Sequence, residues 1–405
     1  MGICGILARV TVLTLIACLS LLAWLWLTFC QGGFWRTDVR LPPRAADSPR
    51  PSVAIVVPAR DEAEVLPLSL PSLLAQRYGG EARVILVDDG STDGTGELAR
   101  RLGSAPGAAL PLTVTSPGEP PAGWTGKLWA LRHGVELAGD VEYLLLTDAD
   151  IAHEPDSLEN LVSSAEGAEG ADAGHGYDLV SQMARLSVRT RWEQLIVPAF
   201  VYFFAQLYPF RWSNEPGSRT AAAAGGCTLV RREALARAGG VAAIRGAVID
   251  DVNLARLVKR GGGRTWLGLA DSVDSVRPYP ELGQLWRMVS RSAYAQLRHN
   301  VFLLAGTVLG LTLVYLVPPV LTLVGAVTLA PPVALPALAA WALMTFTYRP
   351  MLAYYGRPAR EALLLPFTAG LYLLMTVDSA IQHWRGRGAA WKGRTYPAPE
   401  KEPAR

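Results

Sequence analysis

Apolar positions crowd the two ends of the chain and fall into short runs in the middle. Val10 to Phe29 is almost uninterrupted apolar sequence, and about 20 such residues span the hydrocarbon layer of a bilayer as a helix. The other end is apolar from Val301 to about Val377, punctuated by Pro318-Pro319 and Pro331-Pro332 and split by a basic loop, Arg349 to Arg360. This pattern predicts three further segments, near 301–323, 333–355 and 362–382. Between the ends, Val53-Ala-Ile-Val-Val57 and Arg83-Val-Ile-Leu-Val87 read as buried parallel strands, with a third at Val141 to Leu146, because continuous β-branched runs suit strands covered on both faces. Leu66 to Gln76 and Thr92 to Leu102 fit helices. Strand–helix alternation predicts an α/β domain with a mostly parallel sheet, after a proline-rich linker from Pro42-Pro43 to Pro51.

The expected organisation is an N-terminal transmembrane anchor over 1–33, an α/β domain over 50–275, an amphipathic helix over 276–300, C-terminal membrane segments over 301–384 and a basic tail over 385–405. A cleaved signal peptide is the rival reading of the first run; the run is long for one and no A-x-A site follows. Arg36, Arg40, Arg44 and Arg50 follow the anchor while only Arg9 precedes it, which predicts a cytoplasmic α/β domain. If all three C-terminal segments cross, the basic tail ends on the far side, against the same rule, so one of them is expected to be re-entrant or to lie in the interface. The aromatic-rich stretch 195–212, flanked by Arg191, Arg211 and Trp212, is short for a span and is expected at the interface, with burial in the core as the alternative.

Composition agrees with this division. With 405 residues the chain has room for two or three domains. Half of it is hydrophobic and only 18% is charged, below the quarter or so of soluble proteins, which excludes disorder and most soluble nucleic-acid binders. The 38 basic and 35 acidic residues net only +3 and name no polyanionic partner. No two of the four cysteines have metal-ligand spacing.

The candidate chemistry sits where the strands end, and ligands of such sheets bind beyond the carboxyl ends of the strands. The first strand leads into Pro58-Ala-Arg60-Asp-Glu62, the second into Asp88-Asp89-Gly-Ser, the third into Asp148-Ala-Asp150. Asp88-Asp89 also fits a plain turn. Two carboxylates one residue apart at the end of a buried strand repel unless a cation relieves them. Mg2+ or Mn2+, which take oxygen ligands and bridge to phosphates, suit that place. Asp250-Asp251 precedes a helical pattern and fits either a helix start with favourable dipole charges or a general base. Gln284-Leu-Trp-Arg287 lies on a later helical pattern, where an arginine suits a membrane face or a diphosphate equally.

Taken together, Val53 to Glu62, Val87 to Asp93, Gly126-Lys127, Thr147 to Asp150, Gly225-Gly226 to Glu233, Asp250-Asp251 and Gln284-x-x-Arg287 resemble the family 2 inverting glycosyltransferases of the GT-A fold, a Rossmann-like, mostly parallel α/β fold. Met288 stands where the membrane-bound members of that family carry a tryptophan. The N-terminal anchor, Gly123-Trp124-Thr-Gly-Lys127-Leu-Trp129 and Trp391-Lys-Gly-Arg-Thr-Tyr396 are similar to the hopene-associated glycosyltransferases, bacterial membrane proteins linked to hopanoid synthesis. The resemblance implies a multi-pass inner-membrane enzyme that transfers a sugar from a nucleotide-sugar, a UDP-sugar, to a membrane lipid. It implies that Pro58, Arg60, Glu62 and Asp89 line the nucleoside pocket and that Lys127 approaches that pocket or the diphosphate. Asp148 and Asp150 would hold nucleotide and metal, Asp251 with Asp250 beside it would be the base, and Gln284 and Arg287 would close on the leaving diphosphate. A polyprenyl-phosphate sugar transferase of the same fold, a non-catalytic membrane scaffold, and a phosphatase or nuclease using clustered carboxylates are the competing expectations.

Overall fold

Strands that are apolar on both faces need cover on both, and the central strands here have it. The computed structural model describes residues 3–44, 48–167, 176–386, 390–391 and 394–395. The helices are α1 (Ile3–Phe29), α2 (Leu66–Leu74), α3 (Thr95–Gly103), α4 (Gly126–Leu137), α5 (Ser157–Glu166), α6 (Arg191–Leu207) and α7 (Phe210–Asn214). They continue with α8 (Arg232–Arg237), α9 (Asp250–Arg260), α10 (Leu282–Gln296), α11 (Val301–Leu311), α12 (Val317–Val327), α13 (Pro331–Tyr354) and α14 (Leu365–Trp384). The strands of the large sheet are β1 (Val53–Ala59), β2 (Ala82–Asp88), β3 (Leu112–Thr115), β4 (Tyr143–Thr147), β5 (Ile151–His153), β6 (Leu179–Arg185), β7 (Cys227–Arg231) and β8 (Thr265–Ser275). The chain divides into an α/β unit, Asp38–Ser187 with Trp212–Pro278, and a helical unit, Met1–Thr37 with Val188–Arg211 and Tyr279–Arg387.

In the α/β unit the eight strands run in the order β3-β2-β1-β4-β7-β6-β8-β5. β1 pairs parallel to β2 and β4, and β2 to β3. Alternation along β1 builds the two layers: Val53, Ile55 and Val57 pack with Leu70 and Leu73 of α2 and Leu161 of α5, whereas Ala54 and Val56 pack with Leu128 and Leu131 of α4 and Leu254 of α9. The sheet is mostly parallel, as expected, with two strands reversed: β7 lies antiparallel between β4 and β6, and β5 antiparallel on the edge beside β8. Cys227–Arg231 is too short and mixed to read as a strand on its own; burial between two partners makes it one.

A glycine sets the distance between α4 and the sheet. A Cβ on Gly134 would stand 2.4 Å from Val56 Cγ1 and 3.1 Å from Val87 Cγ2. Gly134→Ala gains up to about 1 kcal/mol of helix propensity against an overpacking cost of about 1–3 kcal/mol. It should therefore lower the thermal midpoint of the purified protein; an unchanged or raised midpoint would show that α4 shifts without cost.

Among the described residues, three helices are long and apolar enough to cross a membrane: Leu7–Phe29, Val301–Val327 and Ala359–Trp384. Two of the three expected C-terminal segments are thus among them; the middle one forms as the 24-residue α13 but is not. A π-helical turn, Thr312–Leu316, joins α11 to α12 just before Pro318-Pro319. The prolines lack the N–H groups that the preceding carbonyls need. Ser20 Oγ donates to the Leu313 carbonyl at 2.8 Å and Trp24 Nε1 to that of Val314 at 2.7 Å, so α1 satisfies backbone that hydrocarbon would leave unpaired. The stretch 195–212, expected at an interface, is largely enclosed within its unit where it forms α6: Ile196, Val197, Val201 and Tyr202 are fully buried. Tyr202 is hydrogen-bonded to Thr347 at 2.8 Å, and Tyr372 donates to the Ile196 carbonyl at 3.1 Å. Of the basic tail over 385–405, only a few residues are described, pairing Trp391 with Arg394; the rest lies outside the described residues.

Candidate active site

The site is assembled at the carboxyl ends of β1, β2 and β4. The loop after β1 is stitched to the loop after β2. Thr92 N–H donates to Asp61 at 2.8 Å, Ala63 N–H to Asp93 at 2.9 Å and Glu62 N–H to Thr95 Oγ1 at 2.8 Å. Asp61 accepts a positive φ of 49° to make these bonds. Asp88 closes the turn by accepting from Ser91 N–H at 2.9 Å, whereas Asp89 is buried and paired with Arg60 at 3.7 Å. The turn reading thus holds for Asp88 and not for Asp89.

Lys127 arrives by a local device. Thr125 caps α4 by accepting from Leu128 N–H at 3.4 Å, and this sets Lys127 in the first turn, over the end of β4. Its ammonium bridges Asp148 at 2.8 Å and Asp250 at 3.0 Å. Burial alone would lower the pKa of Lys127; the two carboxylates override it and raise it. Asp148 is raised by burial, with repulsion from Asp150 and Asp250 added and Lys127 opposing.

The second carboxylate of the pair takes a different cation. Arg277, just past β8, donates to Asp150 at 2.9 Å and also pairs with Glu62. Arg277 escaped the sequence reading because an arginine 127 positions away carries no local signal; its only mark was a place beside a strand end. Asp148 and Asp150 are therefore split between Lys127 and Arg277, each half-exposed or less. Among the described residues no group of three His, Cys, Asp or Glu side chains is placed to hold a metal. Two adjacent carboxylates fit a hard cation whose remaining ligands are phosphate oxygens and water, the usual arrangement for Mg2+ with a phosphorylated substrate; they do not make an all-protein cage.

A shallow, open cavity lies over this cluster, with Pro58, Lys127, Asp148, Gly225, Asp250 and Asp251 in its wall. Asp250 and Asp251 open α9. Asp251 accepts from Gly225 N–H at 2.9 Å and from Val252 N–H at 2.7 Å. Those bonds, Lys127 and the helix start favour its anion, yet burial first and repulsion from Asp250 second push its pKa well above the ordinary carboxylate range. Such displacement in a cleft is what a general base working near neutral pH requires.

Two of the expected site residues belong to the helical unit. Gln284 and Arg287 are carried by α10 in the helical unit, where Gln284 forms a capping box with Glu281 and Arg287 is exposed. His153, unremarked in the sequence, is buried between Thr147 at 3.0 Å and Ser157 at 3.1 Å with its pKa pushed down to about 4 by burial. It is a neutral strut under the Asp148–Asp150 turn.

Residues 54–239 match the family model described as Glycosyl transferase family 2. The chain is 32% identical over 118 residues to an undecaprenyl-phosphate mannosyltransferase of Micrococcus luteus, covering 29% of this chain and 45% of that one. It is 31% identical over 136 residues to an undecaprenyl-phosphate 4-deoxy-4-formamido-L-arabinose transferase of Aeromonas hydrophila, covering 33% and 37%. The chain thus spans less than half the length of these curated relatives. A mannosyltransferase from Pyrobaculum calidifontis, solved in complex with GDP-Man and Mn2+, superposes with a TM-score of 0.52 at 20% identity, covering 90% of this chain and 99% of that one. Sheet order, strand-end acids and family match converge: the chain has a GT-A-like fold, and its residues 54–239 are similar to the family 2 glycosyltransferases.

Proposed function

We propose that this protein is a membrane-bound inverting glycosyltransferase that moves a sugar from a nucleotide-sugar to a lipid acceptor. The observation that carries this reading is Asp251, a carboxylate of raised pKa in the wall of the cavity that also holds Lys127 and Asp148. Inverting transfer is one in-line displacement at the anomeric carbon. The attacking hydroxyl loses a proton as the diphosphate leaves, so a base is needed on one side and positive charge on the other. Asp251 supplies the first. Lys127, shared between Asp148 and Asp250, supplies positive charge on the second, and Arg277 orients Asp150. Asp148 and Asp150 would hold a Mg2+ or Mn2+ arriving with the donor, which would neutralise charge on the leaving diphosphate. Pro58, Arg60, Glu62 and Asp89 would receive the nucleoside, and Gln284 and Arg287 would close on the diphosphate.

Two acceptor classes are in play. The relatives' names point to a polyprenyl phosphate; the raised pKa of Asp251 favours a lipid alcohol, such as a hopanoid hydroxyl, because a phosphate oxygen already ionised at neutral pH needs no base. A screen of UDP- and GDP-sugars on the purified protein, with extracted lipids as acceptors and mass spectrometry of the products, tests the reading. Transfer to no lipid from any donor overturns it in favour of a scaffold.

We infer that the α/β unit lies in the cytoplasm of a bacterial cell, on the inner membrane, because Arg36, Arg40, Arg44 and Arg50 follow the first apolar span while only Arg9 precedes it. A reporter fused after Arg50 should read as cytoplasmic. Labelling of a cysteine introduced near Gly103 by an impermeant reagent in intact cells would reverse the topology.

A further inference from the structure

We propose that the helical unit holds a phospholipid with a singly charged anionic headgroup, in a cleft separate from the cavity of the α/β unit. The cleft, open to solvent, is lined by Arg191 and Gln194 of α6, Arg357 and Glu361 after α13, and Leu364 and Thr368 at the start of α14. Arg357 and Glu361 form a two-point pair at 3.0 and 2.5 Å, which leaves the two of them neutral together and fixes the guanidinium. Arg191 is exposed and has no ion pair among the described residues. The lining therefore carries one uncompensated positive charge. That matches a phosphodiester, with one negative charge, better than a phosphate monoester, which carries about −1.5 to −2. A guanidinium fork suits phosphate oxygens, and the Gln194 amide, which gives one N–H to the Arg189 carbonyl at 3.3 Å, has a second to offer.

Apolar surface beside the cleft argues for a lipid over free phosphate. Leu363, Leu364 and Phe367 are exposed by 54%, 49% and 57%, at the start of Ala359–Trp384, a helix long and apolar enough to cross a membrane. A cation next to apolar side chains at the end of such a helix is where headgroup and acyl chain meet. This inference stands apart from the acceptor assignment, since it uses no residue of the α/β unit.

The test uses the full-length protein in nanodiscs of equal phosphatidylglycerol and phosphatidylcholine, released into native mass spectrometry. Phosphatidylglycerol adducts should be retained well above phosphatidylcholine, and Arg191→Gln should reduce them about tenfold, the scale of one charged hydrogen bond, with Arg191→Lys recovering part. Phe367→Ser should weaken them while leaving the helical circular dichroism unchanged. Equal retention of the two lipids, or no change in Arg191→Gln, overturns the proposal. Displacement of the adduct by millimolar inorganic phosphate also overturns it, since the cleft would then be reading free phosphate.

Discussion

Asp251→Asn should lower turnover on a lipid alcohol by about 10²–10⁴-fold, the usual contribution of a positioned base, while donor affinity survives, because only a transition-state interaction is lost. Asparagine can accept from just one of the Gly225 and Val252 amides that the carboxylate now serves, so some stability is lost as well. Donor affinity by calorimetry and the thermal midpoint separate that loss from the loss of basicity. Asp250→Asn should hurt less and move the pH profile. A base must be ionised to act, so wild-type turnover should rise with pH through a titration well above the ~3.9 of an ordinary aspartate. Asp250 is one of the charges that raises Asp251; with it neutralised, the acidic limb should shift to lower pH. Near-normal turnover of Asp251→Asn on an alcohol acceptor would remove the base assignment, and a collapse in Asp250→Asn instead would move it one residue upstream. Product formed only on a polyprenyl phosphate, with Asp251→Asn costing less than about tenfold, identifies a nucleophile that needs no deprotonation. Lost donor binding in Asp251→Asn would mean a nucleotide-binding role.

Asp150→Ala should abolish the part of donor affinity that depends on Mg2+ or Mn2+. Wild type with divalent cation should bind the nucleotide-sugar more tightly than with chelator; in the variant the two titrations should coincide. The structure makes a control necessary, because Asp150 also anchors Arg277 at 2.9 Å, and Arg277 in turn pairs with Glu62. Arg277→Met frees both carboxylates without removing a metal ligand. If divalent dependence persists in Arg277→Met and disappears in Asp150→Ala, Asp150 acts on the cation. If both variants lose donor binding alike, with or without divalent ion, Asp150 serves to hold Arg277 and the metal assignment fails.

Arrangement within a few residues was legible from the chain alone. Val53–Ala59, Ala82–Asp88 and Tyr143–Thr147 are strands within two residues of the apolar runs that announce them, because a strand covered on both faces must be apolar throughout. The helical runs at Leu7–Phe29 and Val301–Val327 follow from length and hydropathy. The acids at the strand ends are legible for the same reason: Asp148 and Asp150 can sit only where a buried strand emerges. What the acids touch is a different matter. Lys127 meets Asp148 and Asp250 across gaps of 21 and 123 positions, and Arg277 meets Asp150 and Glu62 across 127 and 215. Such pairs are set by how the strands and helices pack, and no local period encodes them. Packing also placed β7 antiparallel inside a mostly parallel sheet and buried one side of α6 within its unit. Both arrangements are set by neighbours supplied from distant parts of the chain. The residue types thus determined that charge collects at the ends of β1, β2 and β4, and the tertiary structure decided that Asp148 and Asp150 answer to different cations and that Asp251 stands beside Asp250 in the cavity wall, with its pKa raised.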